Sequence, residues 1–454
     1  MARSTSTTGP ARAAPAAVAA VVTGAPEVVA TDATSVARIG GPHGVLADGE
    51  VRAFVHDRLR EADLDGRSVC VLVPDATRSC PMPMLLSAVH EALHGRVSQL
   101  TVLVALGTHA AVPEPALGAH LGYGADGFEA QYPGATLVQH EWWDPAAFAA
   151  VGRLGEERIA ELSDGMLRRA VDVRVNRAVV EHDVTLVVGP VFPHEVVGFS
   201  GGDKYLFPGV SGRELIDLSH WLGALITSAE IIGTRGITPV RALIQNAASM
   251  LPGERLAFCV VVESGAKALH SVAFGDTVSA WAAAADVSAE THVRYFDEPV
   301  RRVLSLIPPK YGAIWTGAKG FDKVEPIVAD GGQVVLYAPH ITQISATHPE
   351  LVEIGYHCRD YFVKQWDRFR HRAWSDLAHS THLRGAGTYD PAHGERSRVT
   401  VTLATGIPEE VVRAVNLDHL DPATIDPHEW ARDPDTLVVP DAGEVLHRLR
   451  HPAP

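Results

Sequence analysis

The segment TLVVGP (Thr185–Pro190), which runs through Val191 and Phe192 into PHEVVGFSGGDKYLFPGVSGRELIDLSH (Pro193–His220), decides how this chain folds. Thr185–Val188 is short, apolar and β-branched, and Gly189-Pro190 closes it, the pattern of a buried strand ending in a loop. Gly198, Gly201 and Gly202 leave backbone N–H groups free to approach an anion, and Lys204 brings a primary amine to the same turn. A helix then begins at Ser211–Glu214. Leu215, Leu218, Leu222 and Ile226 form its apolar stripe, and His220 lies off that stripe.

Two earlier segments repeat the layout. Ser68–Val73 runs into PDATR (Pro74–Arg78), and Leu100–Ala105 runs into LGTH (Leu106–His109). Helical patterns follow at about 82–94 and 115–121, with Pro81, Pro113 and Pro115 in helix-start positions. Alternating strands and helices predict a mostly parallel sheet. The carboxyl ends of its strands line one crevice, where Asp75, Arg78, His109, His194 and Lys204 meet. Further on, Ala313–Lys319 precedes a strand at Gln333–Tyr337. Val399–Leu403 with Pro408–Val415, and Thr436–Val439 with Ala442–Leu449, read as two more strand-and-helix pairs. The expected fold class is α/β: two α/β domains with mostly parallel sheets and the active site in the cleft between them. The expected division is a disordered leader over 1–40, a cofactor-binding domain over 41–275 and a second α/β domain over 276–454, crossing somewhere in the polar stretch 263–298.

A chain of 454 residues supports more than one core. Its formal net charge of -15 argues against a nucleic-acid surface, which needs a clustered positive field. No apolar run approaches membrane length, so no membrane partner is expected and a small molecule is. Cys70, Cys80, Cys259 and Cys358 are widely spaced without a C-x-x-C pair, which reads as a reducing, cytoplasmic setting. The Ala-, Ser-, Thr- and Pro-rich start reads as a leader rather than a signal peptide, because Ala16–Val22 is short and weakly apolar.

Each residue has a plain reading beside the chemical one. Lys204 could be a solvated partner of Asp203, although the glycines favour a desolvated, reactive amine. Asp75, Thr77 and Arg78 could cap a helix, while the guanidinium fork of Arg78 suits a carboxylate. His109 could be a turn residue. His220 stays open between a structural histidine, a surface histidine and a metal ligand, since no H-E-x-x-H pair accompanies it. His90, His140 and His371 receive no role, and Trp142, Trp143 and Trp366 read as packing or pocket walls.

Together, DATRSCP (Asp75–Pro81), GTH (Gly107–His109), PHEVVGFSGGDK (Pro193–Lys204) and His220 resemble the lactate racemase family, whose members use a nickel-pincer nucleotide. The resemblance runs more faintly through WTGAKG (Trp315–Gly320) and spans most of residues 45–450. It implies that Lys204 holds the pincer cofactor covalently through a thioamide and that His220 is the protein ligand to nickel. Asp75, Thr77, Gly201 and Gly202 would hold the nucleotide. His109 and His194 would be the two acid/base groups, and Arg78 and Lys319, with Trp315 and Thr316, would meet the substrate. The implied activity is racemisation or epimerisation of a 2-hydroxy acid by proton-coupled hydride transfer, with separate maturation enzymes supplying the cofactor. A redox enzyme that stops at the keto acid and a non-catalytic pincer-binding protein are the alternatives. Trp315-Thr316 stands where the family has tyrosine and glutamine, and Asp203 where it commonly has a basic residue. These departures point to a larger 2-hydroxy acid, aromatic or sugar-derived. Tyr356–Asp360 and Thr381–Gly385 carry no family residue but are rich in groups able to contact a polar substrate.

Overall fold

A computed structural model describes residues 36–265 and 267–451, and residues 36–454 group as one compact unit. Residues 1–35 of the expected leader lie outside the described residues. Its last residues, Ala37–Gly40, are a strand.

The first sheet has seven strands in the order Ala37–Gly40, Leu269–Asp276, Glu254–Val262, Val184–Pro190, Ser68–Pro74, Gln99–Ala105 and Ala135–Gln139. From Glu254–Val262 to Ala135–Gln139 every neighbour is parallel, while Leu269–Asp276 is antiparallel to both strands beside it. Val184–Pro190 is buried at every position, as a strand covered on both faces must be. From Ser68–Pro74 the sheet grows in one direction, and from Val184–Pro190 in the other. The two strands therefore flank a topological switch point, and a crevice opens beyond their carboxyl ends.

The second sheet is parallel throughout, in the order Asp418–His419, Thr400–Thr405, Val328–Ala338, Val300–Leu306 and Thr436–Val439. The mostly parallel α/β architecture expected from the sequence is thus the one observed. The stretch 263–298 contains the strand Leu269–Asp276 and the helix Thr277–Thr291, which packs on Glu254–Val262 and Leu269–Asp276 of the first sheet. One element differs in kind. Ala442–Leu449 is not a helix: Leu446–Leu449 is a strand parallel to Val293–Phe296. Gly443, at φ +118°, breaks the helical reading just before it. Among the described residues no helix is long and apolar enough to cross a membrane.

Two helices complete the frame of the site. Arg213–Ile226 buries Leu215, Leu218 and Leu222 as the stripe requires, and Trp374–Arg384 packs along it.

Candidate active site

A cavity at the switch point is lined by residues from the first sheet and its loops, from the short helices Ile314–Gly317 and Lys319–Asp322, and from this helix pair. The three strand-to-loop segments converge there, bringing Asp75, Arg78, His109, His194, Gly201, Lys204 and His220 together with Trp315 and Lys319.

The loop after Pro74 is closed by Asp75, whose Oδ1 accepts from the Thr77 backbone N–H at 3.1 Å and from Thr77 Oγ1 at 2.5 Å. Its other oxygen accepts from His109 Nδ1. A carboxylate can only accept, so the proton sits on Nδ1 and Nε2 is the basic atom of His109. Burial alone would raise the Asp75 carboxyl. The charge and hydrogen bond of His109, with Arg78 and Thr77, outweigh burial and hold it well below the carboxylate range. Trp142 Nε1 donates to the His109 carbonyl at 2.9 Å and fixes that turn.

His194 has the opposite arrangement. Its Nδ1 accepts from the Val196 backbone N–H at 3.2 Å, so its proton sits on Nε2. Burial is the largest cause holding it neutral. Lys204, Lys319 and Lys323 act in the same sense, and only Glu195, with Oε2 3.6 Å from Nδ1, opposes them. Glu195 is itself bound by Lys319 Nζ at 2.5 Å and Lys323 Nζ at 3.3 Å. Lys319 therefore reaches the cavity already paired.

Lys204 follows the glycine turn and opens onto the cavity. Among the described residues no carboxylate lies within ion-pair distance of its amine. Burial, then the charge of Arg78, lowers the amine to about 7, so a neutral, nucleophilic fraction exists at neutral pH. Gly201 and Gly202 place this amine by sitting at φ +89° and +58° against packed neighbours. A Cβ on Gly202 would lie 2.6 Å from the Thr277 carbonyl oxygen and 2.8 Å from Trp281 Cβ. Gly202→Ala is accordingly expected to lower unfolding free energy by about 1–3 kcal/mol, read in urea denaturation, and an unchanged midpoint would contradict this packing.

On Arg213–Ile226, His220 Nδ1 donates to the Ile216 carbonyl at 2.7 Å, leaving the Nε2 lone pair unprotonated. Burial lowers this ring to about 3 and keeps it neutral. A neutral imidazole with its second nitrogen anchored to a backbone carbonyl is the form that binds a transition metal. Among the described residues no group of three or more His, Cys, Asp or Glu is poised as a metal site. A metal at His220 would need donors beyond this ring.

Some expected residues stand aside. Thr77 and Gly202 support the cavity without lining it. Thr316 also does not line it, its hydroxyl donating to the Ala313 carbonyl at 3.2 Å. Trp315 does line it, stacked on His348 at 3.7 Å and His379 at 4.4 Å. His140 is buried against Asn176, His371 is exposed, and neither lines the cavity. Trp366 stacks on Trp221 as packing.

The sequence reading missed Glu195, Thr108, Ser375 and His379, and flagged His382 only within the stretch Thr381–Gly385; all five line the cavity. Ser375, His379 and His382 stand at i, i+4 and i+7 on one helix, a polar face that helical spacing could have flagged.

Comparison with known proteins finds one matching family and similar solved structures. Residues 52–232 match the family described as the lactate racemase N-terminal domain. A Thermotoga maritima protein of known crystal structure is 29% identical, with a TM-score of 0.82 over 91% of this chain and 100% of its own. The lactate racemase apoprotein of Thermoanaerobacterium thermosaccharolyticum shares the fold, with 18% identity and a TM-score of 0.65 over 91% of this chain and 100% of its own. No curated protein matches the chain. Residues 52–232, which carry Asp75, His109, His194, Lys204 and His220, are thus similar to the lactate racemase N-terminal domain.

Proposed function

We propose that the chain is a racemase or epimerase of 2-hydroxy acids, an isomerase working with a nickel-pincer nucleotide. The observation that carries this reading is the pair His109 and His194, which face one cavity in opposite tautomers beside a reactive lysine and a metal-competent histidine.

Lys204 would hold the cofactor covalently, His220 would ligate its nickel, and the turns at Asp75–Thr77 and Gly201-Gly202 would support its phosphate. When bound, that group supplies a place for the C2 hydrogen to go as hydride and return. Everything else falls to the chain. His109 Nε2 takes the hydroxyl proton, and Asp75 stabilises the resulting imidazolium. Returning a proton on the other side requires His194 in its doubly protonated form. Its Nδ1 would then exchange the Val196 N–H for the Glu195 carboxylate, the one negative charge beside it. Arg78, with its guanidinium over the Phe192 ring at 5.6 Å, grips the substrate carboxylate, and Lys319 adds positive field from its pair with Glu195.

Chiral exchange by the cofactor-loaded enzyme tests this reading. Asp75→Asn is expected to lower kcat about 10²–10⁴-fold by freeing the wrong His109 tautomer, with KM changed far less. If His109→Ala and His194→Ala both kept full exchange, the two-base mechanism would be wrong.

A further inference from the structure

Beside the candidate machinery the fold buries an imidazole–carboxylate pair that the proposed chemistry does not use. His348 and Asp376 are 4% and 2% exposed, and His348 Nδ1 donates to Asp376 Oδ1 at 2.7 Å. Asp376 stands on the helix Trp374–Arg384. His348 comes from the loop before Glu350–Ile354, where its backbone N–H donates to Ser345 Oγ at 3.1 Å. The carboxylate ties down Nδ1 and so fixes the plane of the ring. Its other nitrogen, Nε2, then meets Thr108 Oγ1 at 3.0 Å. Thr108 is the residue next to His109, 240 positions from His348 in the chain.

Two features separate this pair from ordinary core packing. The first is where its hydrogen bond lands. The turn Gly107–His109 is held by the Gly107 N–H on the Gly209 carbonyl and the His109 N–H on the Leu106 carbonyl, both at 2.8 Å, by Trp142 on the His109 carbonyl and by Asp75 on the ring. All of those partners lie within residues 75–209. Among the described residues, the bond from Thr108 to His348 is the only one that reaches this turn from elsewhere in the chain. The second feature is Trp315, whose indole packs on the His348 ring at 3.7 Å and on His379, from the same helix as Asp376, at 4.4 Å. The Trp315 backbone N–H donates to the Ile344 carbonyl at 2.9 Å, in the loop that leads to His348. One fixed ring thus touches both the turn that carries His109 and the indole that lines the cavity.

We infer that His348, oriented by Asp376, is a positioning residue for His109, tying its turn to Trp315 through the Thr108 hydroxyl. The inference rests on the reading of His109 as a base and deepens it. Asp75 fixes which nitrogen of His109 is basic, but it does not fix where the turn stands relative to Trp315 and Lys319, which come from the short helices beyond residue 313. The bond to His348 does that, because Thr108 and Trp315 then share one anchored ring. Placement matters to a base: a displacement of about 1 Å costs on the order of 100-fold in rate.

The test compares Thr108→Val, which keeps the branched shape and deletes the hydroxyl, with His348→Ala, which deletes its partner. In the apoprotein, amide hydrogen exchange over residues 106–111 is expected to be at least about 5-fold faster in Thr108→Val than in wild type, with the strand Gln99–Ala105 unchanged. The cofactor-loaded enzyme is followed on whichever of lactate, malate, phenyllactate and gluconate it turns over fastest, with Lys204 peptide mass and nickel content recorded for every preparation. There kcat should fall about 10–100-fold in Thr108→Val and KM should change less than about 3-fold. Thr108→Ser, which keeps the hydroxyl, should restore most of kcat. The double variant should be no slower than His348→Ala, since both changes remove one tie. Faster hydrogen exchange with wild-type kcat overturns the inference by making the tie structural only. Wild-type protection in Thr108→Val overturns it as well, and so does an additive loss in the double variant. Loss of Lys204 modification in these variants overturns it too, by assigning the tie to cofactor loading. A fully loaded wild-type enzyme that turns over none of these acids overturns the racemase reading itself, and hydrogen exchange, read on the apoprotein, is independent of that result.

Discussion

Lys204→Ala is expected to abolish exchange, lowering turnover by at least about 10⁴-fold, the scale on which loss of a covalent catalytic group is felt. The reason lies in where the amine sits. Burial and the charge of Arg78 bring it to about 7, and among the described residues no carboxylate pairs with it, so part of it is neutral and nucleophilic where an ordinary lysine is not. Lys204→Arg separates the two roles an amine could have here. It preserves positive charge for an anion but cannot deprotonate. Equal loss in both variants is expected, because the reading needs a bond to nitrogen rather than a charge. Peptide mass spectrometry after co-expression with the maturation enzymes should show a mass increment on the Lys204 peptide and stoichiometric nickel. An active wild-type enzyme with an unmodified Lys204 peptide would end the covalent assignment, as would full activity in Lys204→Arg.

The parts of this site legible in the sequence are those written locally. An apolar β-branched run that stops at a glycine or proline marks a strand end, and three such runs deliver Asp75, His109 and His194 because parallel strands present their carboxyl ends together. The glycines around Lys204 are legible for the same reason, since positive φ leaves a trace in the residue itself. Residues that matter through distant partners left no such trace. Glu195 looks like one charged residue in an otherwise apolar loop, and only the fold brings Lys319 and Lys323 to it from 124 and 128 positions away. The helix Trp374–Arg384 likewise carries a visible polar face, yet nothing local says whether that face meets water or a cavity. Ala442–Leu449 failed in a different way. Its apolar spacing suits a helix or a strand, and pairing with Val293–Phe296 decided the matter.

Glu195→Gln is expected to be the most damaging single change to the fold around the cavity and to impair catalysis as well. The wild-type carboxylate is buried among His194, Lys319 and Lys323. Burial works against its ionisation, but those neighbours win and hold its pKa well below the usual range. Its removal leaves two buried ammonium groups facing an amide, and breaking a buried ion pair from one side costs about 3–5 kcal/mol. The pH dependence has a definite sign. Lys323 is buried and its pKa is already lowered, first by burial. Without Glu195 it falls further below the unfolded value of about 10.4. Between the folded and unfolded values the unfolded state binds more protons, so stability of the variant rises with pH. Urea midpoints of the variant should therefore lie furthest below wild type near neutrality and approach it as the solution becomes alkaline. In wild type the Glu195 contribution is present above the unfolded carboxyl value and is lost as pH falls below it. Catalysis supplies the second readout. Without the one negative charge beside its ring, His194 faces three lysines and cannot readily take its second proton, so kcat should fall about 10–100-fold at neutral pH, with KM less affected. Glu195→Asp, which keeps the charge on a shorter arm, should recover part of both losses. A variant Glu195→Gln with wild-type kcat would show that His194 acts without its counter-charge, and one whose stability did not rise with pH would show that the two lysines find other partners.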